Sequence, residues 1–213
     1  MTMLMSCDEH EPVDLDVHTG YVLCDDGQVL STDVYFRQDM KKAVAVVFAP
    51  QTEEHGVLAV LLDEITPIAF SDTLGLELGT SCDETAYDGY VNTTAMQNNR
   101  DTRTGKGSPL ADEAFTSHHF FQSDYIPSVA EMGLLYLAKD RVNPVIERCG
   151  GTPLYSDAAD GHCWYWTSTE CEGAATDRAW RFSLYSGRFE STDKHTCLPV
   201  RPILMIRLNK EEH

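Results

Sequence analysis

Two near-continuous apolar runs, Ala43–Ala49 (AVAVVFA) and residues 57–62 (VLAVLL), flank the polar segment 50–56. Valine-rich runs of that length predict a pair of strands covered on both faces. Upstream, residues 21–24 and 28–30 bracket Asp25-Asp26-Gly27 and predict a β-hairpin, because Asp-Gly suits the positive-φ positions of a tight turn. Residues 8–19 are polar and acidic, carry Pro12 and read as a tether.

The middle of the chain carries helical signals. Asn92 is expected to cap a short helix through Gln97, and 98–108 is a polar loop. Pro109 suits the first turn of a second helix running toward His118. Ser128-Val-Ala-Glu131 has the spacing of a capping box, with Met132, Leu135 and Tyr136 following on one face. Gly150-Gly151 is expected to close a further helical segment with Pro144 near its start.

The last third returns to strands, at 163–168, 179–185, 188–191 and 197–208. Trp180, Phe182 and Leu184 alternate with Arg181, Ser183 and Tyr185, so one face is buried and the other exposed. The order of strands, helices and strands predicts a single α+β domain over 20–213 whose terminal strands meet in one sheet.

Composition adds constraints. The 213 residues have a net charge of −18, with 42% hydrophobic and 23% charged residues, values of a globular chain. A field this acidic repels phosphate backbones and anionic membranes, which argues against nucleic-acid binding. No stretch approaches the ~18 apolar residues of a membrane helix. Five of the acids, Asp8, Glu9, Glu11, Asp14 and Asp16, fall in the tether.

The seven cysteines, at positions 7, 24, 82, 149, 163, 171 and 197, contain no C-x-x-C pair, so a zinc ribbon or thioredoxin-like site has no support. Leu4-Met5-Ser6-Cys7 resembles the end of a bacterial lipoprotein signal, and the acids after Cys7 resemble the export signal of Bacteroidota surface lipoproteins. Residues 1–19 are then a signal remnant and acidic tether, with Cys7 the lipid anchor. The other six cysteines allow three disulfides among 15 connectivities, Cys163 and Cys171 bracketing a short loop, or stay as buried thiols.

Several segments resemble the Lcl-type C-terminal domain family. Ile126-Pro-Ser-Val-Ala-Glu131-Met looks like its "LPS-x-x-E-L" helix start, and Tyr165-Trp-Thr-Ser-Thr-Glu170 its "YWSSTE" strand. Ala179-Trp180, Gly187, Lys194 and Val200-Arg201-Pro202 follow its closing pattern, and residues 23–27 and 44–48 are similar to the N-terminal half of such proteins. The likeness spans 20–206. It implies a C-type-lectin-like fold, two or three helices packed on a small, mainly antiparallel sheet with long loops. Family members occur as adhesin modules, and targets of diversity-generating retroelements and sulfatase-modifying enzymes use related folds. The sugar-binding calcium motifs "EPN" or "QPD" with "WND" are absent, the nearest segment being 176–180, so calcium has no residue-level support and no cofactor is expected.

The exposed side of the last sheet and its loops are expected to carry His162, Trp164, Tyr185, Arg188, Glu190, Asp193, Lys194 and His195, a mixed aromatic and polar surface suited to a glycan or protein ligand. Alternation buries at least one of Trp164 and Trp166. Ser128, Glu131, Trp166, Glu170, Trp180, Gly187 and Arg201 are read as scaffold. A carboxylate and an arginine at strand ends, Glu170 and Arg201, can pair and order neighbouring loops. His118 and His119 do not share a helix face, against a metal pair, and Asp83, Glu84 and Asp88 lack the spacing of a calcium loop. Hydrolase, phosphate-loop and zinc-protease motifs are absent. The expectation is a non-catalytic outer-membrane surface lipoprotein, an adhesin or display module that meets its ligand on a host or neighbouring cell and the membrane only through its lipid. A pilus- or fibre-associated component is the alternative. A sulfatase-modifying-type enzyme, with Cys163 and Cys171 as its couple, stands third.

Overall fold

The structure is a computed structural model and describes residues 16–38, 40–116, 118–119, 122–155, 157 and 162–207. Cys7 and most of the expected tether lie outside the described residues.

The expected hairpin forms as β1 (Val22–Cys24) and β2 (Val29–Leu30), closed by the Gly27 N–H donating to the Cys24 carbonyl at 3.0 Å. A single turn, α1 (Thr32–Tyr35), follows, its first turn capped by the Ser31 hydroxyl. The valine-rich runs are β3 (Ala43–Ala49) and β4 (Val57–Leu61), antiparallel with Val46 opposite Val60. After β5 (Ile65–Ala69) come α2 (Gly89–Asn98), α3 (Pro109–Ala114), the short strands β6 (His118–His119) and β7 (Gln122–Ser123), and α4 (Val129–Arg148). The chain then forms β8 (Trp164–Glu170), β9 (Arg178–Ser183), β10 (Phe189–Asp193), β11 (Cys197–Val200) and β12 (Ile203–Ile206).

The result is a mixed α+β structure whose strand pairs are antiparallel. The largest sheet has the order β12-β4-β3-β1-β2, so the first and last strands share one sheet, as expected. A second sheet is β10-β9-β8, and β11 pairs with β5. The final strand expected over 197–208 is divided, because Arg201 and Pro202 part β11 from β12 and the two join different sheets.

Alternation divides β1, β3 and β4 between two apolar layers. Val22, Val46, Phe48, Leu58 and Val60 face α4, whereas Leu23, Ala45, Val47, Val57 and Ala59 form the layer on the other side. Both faces are therefore buried. A third cluster joins Phe70, Leu78, Met96, Leu110, Trp166 and Val200 between α2, α3 and the β8 and β11 strands.

The helices differ from expectation in two places. Asp88, not Asn92, sits at the start of α2. Asn92 is buried inside that helix, where its carbonyl oxygen accepts the Ser81 N–H at 2.8 Å and its amide donates to Asp88 at 2.7 Å. These tertiary partners take the side chain that was expected to cap. Pro144 does not begin a new helix but lies inside the twenty-residue α4. An interior proline costs about 3 kcal/mol, whereas Met132, Leu135, Ala138, Val142, Val145 and Ile146 form one buried stripe along the same helix. At ~1.5–3 kcal/mol for each large apolar side chain, that stripe outweighs the proline.

Candidate functional site

The sheet of β8, β9 and β10 carries most of the surface chemistry. Its register sets Trp164 opposite Ser183, Trp166 opposite Arg181, and Glu190 opposite Arg181 from the other side. Residues directly opposite one another share a face, so Trp164, Trp166, Arg181 and Glu190 stand in one patch. Trp166 is the inner member: fully buried, its indole N–H donates to the Ile68 carbonyl at 3.1 Å. Trp164 is half-buried, and the Arg181 guanidinium lies 4.3 Å from its ring centroid. Arg181 also donates to the Glu190 carboxylate at 3.0 Å. Indole, guanidinium and carboxylate thus form a row that ends in the exposed Glu190. On the reverse face Tyr165 and Phe182 point to α4, and Trp180 meets Phe189 edge-on at 5.2 Å.

The residues expected to bind ligand divide between the two ends of this sheet. His162 is exposed just before β8, its ring 5.7 Å from that of Tyr155. Tyr185 and Arg188 occupy the β9–β10 turn, which reaches the same end because the Leu184 N–H donates to the Cys163 carbonyl at 2.9 Å. Asp193 and His195 are exposed at the opposite end, where Asp193 is opposite Arg178 and accepts the His195 N–H at 2.8 Å. They do not join the Trp164 patch.

Lys194 is a correction. Expected on the exposed surface, it is fully buried and forms an ion pair with the equally buried Glu170. Its ammonium also donates to the Leu76 carbonyl at 3.2 Å and to the Ala175 carbonyl. A lysine with three acceptors tolerates burial that an unpaired one would not. Arg181, in contrast, was missing from the expected set. Alternation already placed it on the polar face of its strand, but its partners Trp164 and Glu190 follow only from the strand register.

The expected pairing of Glu170 with Arg201 does not form either. Besides Lys194, Glu170 accepts the Leu78 N–H at 2.8 Å and the Thr80 N–H and hydroxyl at 3.1 and 3.0 Å. Arg201, also buried, donates to the carbonyls of Leu62 at 2.8 Å and of Thr152. Each charge instead gathers backbone from its own loops, which is a scaffold role. Ser128 and Glu131 form the expected reciprocal cap. Glu131 accepts the Ser128 N–H at 2.7 Å and the Tyr125 hydroxyl at 3.2 Å, and burial pushes its carboxyl up to about 7.

A second concavity, of about 420 Å³, opens between β3, β4, β5 and α3. Asp63, Glu64, Glu113, His119 and Asp124 line it with Lys42, so it is acidic. His119 Nδ1 lies 2.8 Å from the buried carboxylate of Asp124. The Glu64 carboxyl is raised by burial, an effect opposed by Arg201 and by a 3.4 Å hydrogen bond from Tyr165. Apart from His119, set aside above as half of a metal pair with His118, the sequence pattern did not single out these residues, because they come from separate segments of the chain. Among the described residues no group of three or more His, Cys, Asp or Glu is arranged to hold a metal ion, and no helix is long and apolar enough to cross a membrane.

No disulfide joins the six cysteines among the described residues in this structure. Cys163 and Cys171 do not bracket a loop. They stand at opposite ends of the bulged strand β8, bonded to Leu184 and Arg178 respectively, six residues and so roughly 20 Å apart along β9 at the ~3.3 Å rise per residue of a strand. A bridge needs Cα atoms within ~7 Å, so these two cannot form one, nor act as a reactive couple.

No protein-family model matches this chain, and no curated protein matches it.

Proposed function

We propose that this protein is a surface-exposed bacterial lipoprotein, anchored through Cys7, whose C-type-lectin-like domain binds a glycan or protein ligand without catalysing a reaction. The observation that carries the reading is the Trp164–Arg181–Glu190 row. It combines a ring face, a cation and a carboxylate at one end of a rigid sheet, a composition suited to polar ligands. His162 and Tyr155 extend the aromatic and polar surface at the start of the same strand. The fold assignment is supported by the capped helix α4 packed on antiparallel strands, by the loops between short strands, and by the shared sheet of β1 and β12. The separation of Cys163 from Cys171 removes the couple on which the sulfatase-modifying alternative relied.

Binding of the purified domain to arrays of glycans and of host surface proteins tests the proposal. At least one ligand class is expected to bind, and Trp164→Ala is expected to weaken it tenfold or more while leaving the melting temperature within a few degrees. Undiminished binding by Trp164→Ala would refute this face. No binding on either array would refute the adhesin reading.

A further inference from the structure

We propose that Cys24 and Cys149 are the two ends of a disulfide bridge that staples the N-terminal hairpin to the C-terminus of α4. The placement follows from packing. Alternation in β1 turns Val22 and Cys24 toward α4 and Leu23 away from it. In the register with β3, Cys24 lies opposite Ala43. Helix α4 lays Val142, Val145 and Ile146 on that same layer, and Cys149 is its C-cap residue. Cys149 is four residues beyond Val145 and three beyond Ile146, so it shares their side of the helix. Ala43, Tyr35 and Cys149 line one groove of about 550 Å³, and the Tyr35 hydroxyl accepts the Ala43 N–H at 3.1 Å. One thiol therefore approaches this corner of the core from a strand and the other from a helix end.

The electrostatics agree with that proximity. Burial is the main cause that pushes the Cys149 thiol up to about 11, and the charge of Cys24 is the next. Burial likewise raises Cys24. Of the other described cysteines, Cys163 lies at one end of β8 and Cys197 is exposed on β11. Cys82, in the loop before α2, is raised first by burial, with Cys171 at the far end of β8 among the lesser charges that add to it.

Glutathione disulfide is a sufficient oxidant. One cysteine thiolate attacks it and releases a glutathione thiolate. The second cysteine then attacks the mixed disulfide, the protein S–S bond forms, and a second glutathione leaves. Overall two protein thiols lose two protons and two electrons, and two glutathione thiols are produced. In the finished fold both thiols are held protonated, so the exchange is slow there and belongs to the folding chain.

The test is to refold the reduced, unfolded protein in a buffer of reduced and oxidised glutathione, block free thiols, and map disulfide-linked peptides. A peptide joining Cys24 to Cys149 is expected. The bridged protein should melt on the order of 10 °C above its dithiothreitol-reduced form, since the bond closes a long loop, and Cys149→Ser should lose both the peptide and the difference. Refolded monomer with Cys24 free, or linked to any other cysteine, overturns the proposal. Should refolding fail, the protein is incubated with glutathione disulfide at pH 9 in a urea concentration just below its unfolding transition, where local opening exposes the two thiols. Bridging supports the pair, whereas glutathione retained on Cys149 beside a free Cys24 overturns it. These outcomes are independent of the ligand face and of the lipid anchor.

Discussion

Lys194 and Glu170 form an ion pair in which the lysine side chain is 0% and the glutamate 1% exposed. Around it converge three stretches of chain: the segment with Leu76, Leu78 and Thr80, the end of β8, and the loop at Ala175. The first and third lie outside the named strands, the Leu78 and Thr80 N–H groups donating to Glu170 and the Leu76 and Ala175 carbonyls accepting from Lys194, whereas Glu170 itself is opposite Ala179 of β9. Trp166 and Phe70 pack beside the pair, with the ammonium 5.5 Å from the Phe70 ring centroid. The pair therefore organises the loop side of the β8 sheet, away from the Trp164 patch.

Lys194→Met should cost about 3–5 kcal/mol, because it strands a buried carboxylate. Glu170→Gln should also destabilise, by leaving the ammonium unpaired. The double variant Glu170→Gln/Lys194→Met should lose clearly less than the sum of the two. Urea unfolding of all four proteins measures this, and strict additivity would mean that the two charges are not coupled.

Glu131 makes stability fall as pH rises. Its carboxyl titrates near 7 in the folded protein, above the ordinary 4.5, so between those values the folded state holds a proton that the unfolded state has released. The contribution is complete below pH 4.5 and is lost by pH 7, a difference on the order of 3 kcal/mol. Asp88, also raised by burial, slopes in the same direction, so the comparison must be with Glu131→Gln, which retains the capping geometry without titrating. The difference in unfolding free energy between wild type and variant should change over pH 4.5–7. A flat difference would assign the slope to other groups.

Much of this architecture was legible in the residues. The hairpin at Asp25–Gly27, the two valine-rich strands and the Ser128–Glu131 cap all rest on signals spanning a few neighbours. What stayed hidden depends on register or on distant partners. Pro144 marks a helix start by its own chemistry, and only the continuous buried stripe of α4 keeps it inside one. Lys194 reads as surface because lysine almost never enters a core unpaired, and its partner lies 24 positions earlier. Arg181 gains its role only when β8 and β10 flank β9 in a fixed register. The acidic cleft at Glu64 has no local pattern at all.

Gly187 is held by two independent demands. Its φ is +70°, and a β-carbon there would lie 2.7 Å from Cε1 of Tyr136 on α4. Gly187→Ala should therefore cost about 1–2 kcal/mol for the left-handed backbone alone, with a further increment for the displaced ring. Pairing it with Tyr136→Ala in a double-mutant cycle should remove that increment and show coupling. Gly187→Ala within 0.5 kcal/mol of wild type would mean that the β9–β10 turn relaxes freely.

Trp164 and Trp166 stand two residues apart on one face of β8, yet truncation should cost far more at Trp166 than at Trp164. Trp166 is enclosed by Phe70, Leu110 and Val200 and bonds the Ile68 carbonyl, so Trp166→Ala leaves a large cavity. A cost of about 3–5 kcal/mol is expected from that cavity. Trp164 loses mainly its contact with Arg181, worth ~0.5–1 kcal/mol at an exposed site, and the Arg181–Glu190 pair survives without it. Trp164→Ala should thus unfold within about 1 kcal/mol of wild type in a denaturant titration, with an unchanged slope. Equal losses from the two variants would make Trp164 a core residue, and the patch it shares with Arg181 would then be scaffold rather than a surface free to meet a ligand.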